Sequence, residues 1–141
     1  MMARWRIQDG SIAVETAVLA PVLLVLMLLV VYAGRAAQAD ADVRSAAARA
    51  ARAASLTGDA DAATVAARAT ATANLATAGI SCTQADVTVG IADFRAGGSV
   101  TVQVACQVSH ADLVLLALPG HRWSTATSTQ PVDTYRGGDP P

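Results

Sequence analysis

The 141 residues include no lysine; all ten basic side chains are arginine, and no segment gathers them into a basic stripe. The electrostatic footprint of a nucleic-acid binder is therefore missing, and the net charge is only −1. Aromatic residues are scarce: Trp5, Tyr32, Phe94, Trp123 and Tyr135 are all there are. That is thin lining for a large ligand pocket. No glycine-rich loop ends in Gly-Lys-Ser/Thr, no Gly-x-Ser-x-Gly occurs, and the acids are scattered, so no catalytic constellation forms and no cofactor is implied. His110 and His121 make no paired motif, and the 23 residues between Cys82 and Cys106 match no zinc spacing. Enzymatic and metal-binding classes are thus disfavoured, and one domain is what the length suits.

What the sequence does have is one long apolar run. Ile12 to Tyr32 is 21 residues with a single charge, Glu15, and Ala17 to Val31 holds no polar residue. As a helix it spans roughly 30 Å, the thickness of a bilayer core. Pro21 lies inside it, removes one backbone hydrogen bond and should bend it, which membrane helices tolerate. Arg4 and Arg6 precede the run, which favours an N-terminus on the cytoplasmic side and an exported C-terminal part; Arg35 beyond the run slightly weakens that bias.

The residues leading into the run carry the most specific signal. A basic leader, Arg4-Trp5-Arg6-Ile7-Gln8-Asp9, ends in Gly10, and Glu15 stands five residues further on. Glycine lets a peptidase approach the backbone closely. An ionisable group beside a bilayer is costly and usually has a partner. The arrangement resembles the processing site of type IV prepilins. That resemblance implies cleavage between Gly10 and Ser11 by a membrane-embedded prepilin peptidase, and a register contact between Glu15 and the free amine of a neighbouring subunit. The wider segment, Gly10-Ser11-Ile12-Ala13-Val14-Glu15 followed by apolar residues, Pro21 and a leucine-rich stretch, resembles TadE-like proteins. Gly34-Arg35 and the Ala-rich, Arg-punctuated stretch 44–54 fit the same pattern, while Thr16 departs from it where the family more often has Phe or another apolar residue. The resemblance covers residues 10 to 56. It implies a minor pilin or pseudopilin of the tight-adherence (Flp) pilus system, with the major pilin, other minor pilins and a membrane platform driven by a separate ATPase as partners.

The rest reads as α+β. The first helix should run from about Ser11 to Leu56, roughly 70 Å, half in the membrane and half out. Asp40 and Arg44 are spaced as a helical ion pair, and Gly58 is the expected stop. A second helix is expected from about Ala60 to Ala78, capped by Asp59 or Asp61 and closed by Gly79, with an alanine face that includes Val65 and Leu75. The period then changes to two. Val87, Val89 and Ile91 alternate with polar residues, as do Val100, Val102, Val104, Cys106 and Val108, with a turn at Arg95 to Ser99. This is a hairpin whose apolar face should lie on the helices. A third strand is expected at Trp123 to Gln130. The run Leu113 to Leu118 is too short to span a bilayer and reads either as core or as a patch on the membrane or a partner.

In an exported domain Cys82 and Cys106 are expected to form a disulfide, with two buried thiols as the alternative. The expected organisation is a leader (1–10), a transmembrane helix (11–34) in which Ile12, Pro21 and Tyr32 mark the span, an exported domain (35–136) and a flexible tail (137–141). The competing organisations are a secreted domain, released at the small-x-small site Ala37-Gln38-Ala39, and a single-pass binding domain with no pilus role. Against the first, the apolar run is longer than a usual signal-peptide core and begins with Glu15.

Overall fold

The computed structural model describes residues 9–80, 82–109 and 121–135. Helix α1 is Asp9–Ser55, helix α2 is Ala60–Thr77, and strands β1, β2 and β3 are Cys82–Gly90, Ser99–Ser109 and His121–Pro131. The chain divides into two compact units, 1–37 and 38–141. The apolar run Leu113 to Leu118 and the tail 137–141 lie outside the described residues.

In the first unit α1 carries the apolar run, and Pro21 sits within the helix. In the second unit the rest of α1, α2 and a three-stranded antiparallel sheet of order β1-β2-β3 share one core. The fold is α+β, as the change of period predicts.

The core follows from two helical stripes and one strand face. On α1 the fully buried residues are Val43, Ala46, Ala47, Ala50, Ala51 and Ala54, one face of a helix at i, i+3, i+4 and i+7. On α2 they are Ala63, Ala67 and Ala71, with Leu75 nearly so. Val65 was expected on that face but is exposed, because two residues from Ala63 places it on the opposite side of the helix. From β2 come Val100, Val102, Val104 and Cys106, every second residue. Among the described residues nothing larger than valine is fully buried.

The ends of the helices are fixed by local chemistry. Thr57 Oγ1 donates to the Ala54 carbonyl at 2.8 Å and Ser55 Oγ to that of Arg52 at 2.9 Å, so α1 stops three residues before Gly58. Of the two candidate caps for α2, Asp59 acts: its Oδ1 accepts from the Ala62 amide at 2.8 Å. At the far end the Gly79 amide donates to Ala76 and the Ile80 amide to Leu75, with Gly79 at φ 71°. That is a Schellman closure, which needs a left-handed residue.

The strands are longer than the alternation alone suggests. β1 begins at Cys82, and its pairing with β2 shifts register between Cys82 and Gln84. β2 and β3 pair without a break from Ser99↔Pro131 to Ser109↔His121. Beyond the expected turn residues, the connection between β1 and β2 is tied to the end of β3: the Gly97 amide donates to the Val132 carbonyl, and the Val132 amide to that of Gly98.

Gly98 is buried, and a Cβ there would collide with the Asp93 carbonyl oxygen and sit 3.1 Å from that of Arg95. Both obstacles are backbone atoms of the same tight turn. Gly98→Ala is therefore expected to destabilise the domain by about 1–3 kcal/mol, read as a drop in the midpoint of thermal unfolding. Gly34→Ala, where a Cβ meets nothing within 4 Å, should leave that midpoint in place.

Candidate functional site

The candidate site is the apolar part of α1 and the residues at its mouth. Apart from the half-buried Leu28, the large apolar side chains from Val14 to Val31 stand in the open, from 45% exposed at Val31 to 70% at Met27. A soluble monomer rarely exposes a contiguous apolar surface of this kind. By length and composition the helix is able to cross a membrane. A helix satisfies its own backbone hydrogen bonds, so only side-chain polarity decides whether lipid will accept it.

Gly10, Ser11 and Ile12 lie in the first turns of α1, which begins at Asp9. Glu15 is exposed and is the chain's only glutamate. It makes no hydrogen bond or ion pair with any described residue. Its neighbours along the same face, Val18 and Leu19, are apolar and exposed. A carboxylate in that setting is open to a partner from outside the chain.

In the second unit Cys82 and Cys106 are joined by a disulfide, with their Cα atoms 5.4 Å apart. Cys106 is fully buried on β2, and Cys82 packs at the rim of the core. The bridge ties β1 to β2 where the register shifts, and in the chain-entropy model it contributes about 3 kcal/mol. β1 has no fully buried residue of its own, so this covalent tie matters more to it than to the other strands.

A further cluster was not expected from the sequence. The Asp40 carboxylate accepts from Arg122 Nη2 at 3.0 Å through Oδ2 and from Ser124 Oγ at 2.6 Å through Oδ1. The anticipated helical partner, Arg44, is replaced by these residues of β3, more than eighty positions along the chain. Ser124 is buried and its hydroxyl needs a partner, which Asp40 supplies at the seam between α1 and the sheet. No local signal marks such a contact, since neither residue type nor spacing links Asp40 to Ser124. Among the described residues no three His, Cys, Asp or Glu side chains gather as a metal site.

Among the described residues these features are one candidate membrane helix, an acid near its start and a small disulfide-bonded α+β domain. Residues 10–52 match the family model described as TadE-like protein. The matched segment holds Gly10, Ser11, Glu15, Pro21 and the buried alanine stripe of α1 as far as Ala51. The match covers 43 of the 141 residues, all of them within α1. Comparisons with curated proteins and with solved structures gave no match.

Asp40→Ala should lower the stability of the domain by about 1–2 kcal/mol, because it strands the buried Ser124 hydroxyl as well as breaking the ion pair. Arg122→Ala should cost less, since its side chain is half exposed and such pairs contribute little. Denaturant titration of the two variants and the double variant measures both contributions.

Proposed function

We propose that this protein is a minor pilin or pseudopilin that takes part in assembling a tight-adherence pilus. A prepilin peptidase cuts between Gly10 and Ser11. The helix, spanning 11–34, then anchors the mature chain in the cytoplasmic membrane with its N-terminus inside and the domain 35–136 exported. From there it is available to the surface pilus. Its partners are the major pilin, sibling minor pilins and the membrane platform driven by a separate ATPase.

The observation that carries this reading is Glu15: the only glutamate, standing exposed and without a described partner at the start of an uncovered apolar helix. Processing would create a positive charge at Ser11, four residues away, on every subunit. In a bundle of parallel helices the Glu15 carboxylate of one subunit can meet the amine of the next, and the pair fixes their axial register. An unpaired charge in the membrane is expensive, so the pairing selects one register over others.

Orientation rests on processing more than on charge. Arg4 and Arg6 precede the span, whereas Arg35, Arg44, Arg49 and Arg52 follow it. Long exported segments translocate largely regardless of such counts.

Glu15→Ala is expected to leave membrane insertion unchanged and to reduce incorporation into pilus assemblies by about tenfold or more, the equivalent of about 1.4 kcal/mol. Cross-linking to the other pilus proteins in native membranes reads this out. Equal cross-linking by the variant and the parent would contradict the register role. Gly10→Leu should block cleavage and leave a chain ten residues longer on a denaturing gel.

A further inference from the structure

We infer that the exported domain is completed by thiol–disulfide exchange with a protein disulfide donor, and that Cys82 is the sulfur through which the donor acts. The inference rests on the export of the domain proposed above and adds to it a maturation step and a class of partner.

The two sulfurs differ in access. Cys106 has no exposed surface: it lies on β2 among Val100, Val102 and Val104, beneath the alanine stripes of α1 and α2. Cys82 is only partly buried, at the first residue of β1, where the pairing with β2 is irregular. Exchange requires the attacking sulfur to line up with both sulfurs of the disulfide it attacks. A folded donor cannot reach Cys106 in this way once the core has formed, but it can reach Cys82. Chain order points the same way, because Cys82 precedes Cys106 and leaves the membrane first during export from an N-terminal anchor.

The step balances as follows. The Cys82 thiolate, having lost its proton to solvent, attacks one sulfur of the donor's disulfide. A mixed disulfide forms, and the donor's other sulfur leaves as a thiolate. The Cys106 thiolate then attacks the Cys82 sulfur, forming the bridge and expelling the donor's remaining thiolate. Two electrons have passed from the chain's two thiols to the donor, which ends as a dithiol.

The bridge has a structural reason to be made this way. β1 buries no residue fully and joins the core through Cys82, Val87 and Val89, which are only partly covered. Its ladder with β2 is shifted at the Cys82 end. Oxidation at Cys82 therefore fastens the strand where its hydrogen bonding is weakest.

The test is to trap the mixed disulfide in cells producing the full chain, by acid quenching, alkylation and a non-reducing gel. Cys106→Ser leaves Cys82 able to form the mixed disulfide but unable to resolve it. The expected result is a reductant-sensitive adduct, at least fivefold more abundant in Cys106→Ser than in Cys82→Ser. Both variants lose the bridge equally, so a difference between them reports access and not stability. Adducts of equal abundance, or none in either variant while the parent chain is oxidised, would overturn the inference. Protease treatment of spheroplasts separates this from the parent reading. A domain that is digested from outside but carries free thiols in the parent chain overturns the exchange step alone. A domain protected inside overturns the proposed export as well.

Discussion

Among the described residues, the apolar side chains of the first helix stand largely uncovered. From Val14 to Val31 the large side chains are exposed on almost every side, and the run from Ala17 to Val31 has no polar residue. Burying a valine or leucine side chain is worth about 1.5–3 kcal/mol, so a dozen of them held in water would cost more than a small domain's entire stability. By length and composition the helix is able to cross a membrane, where lipid would cover them. The proposed role of Glu15, at the start of the run, depends on that setting.

What remains for a folded domain is small, and its construction reflects this. Among the described residues the core is made mainly from alanine and valine, with no fully buried side chain larger than valine. Alanine stripes on α1 and α2 form one cluster with the valines of β2, so each contact buries little area. Domains of this size have limited apolar surface to bury and benefit from added ties. The described residues supply two such ties: the Cys82–Cys106 bridge at the β1 edge and the Asp40–Arg122–Ser124 contacts at the β3 edge. Each fastens an outer strand that the core covers only in part.

Much of this was legible from the amino-acid order, because periodicity reports on local geometry. The alanines of α1 and α2, the alternating valines of β2 and the closure at Gly79 all follow from spacing within a few residues. The bridge was legible because only two cysteines exist. Contacts between distant segments were not. Asp40 was expected to pair with Arg44 four residues on, yet its carboxylate is taken by Arg122 and Ser124. Val65 was expected in the core, although its phase on α2 excludes it. The pairing of Gly97 and Gly98 with Val132 depends on where β3 ends, which a local pattern does not encode. At the candidate site the sequence was more informative than the fold, since Gly10, Ser11 and Glu15 gain their proposed roles from a second subunit and a peptidase.

The measurement that bears most directly on the central claim is the N-terminal residue of the protein recovered from native membranes, read by mass spectrometry of its terminal peptide. A chain that begins at Ser11 is the predicted result. A chain that begins at Met1 or Met2 would make the helix a simple anchor, and one that begins at Asp40 would mean a domain released by signal-peptide cleavage; either would contradict assembly through a processed helix.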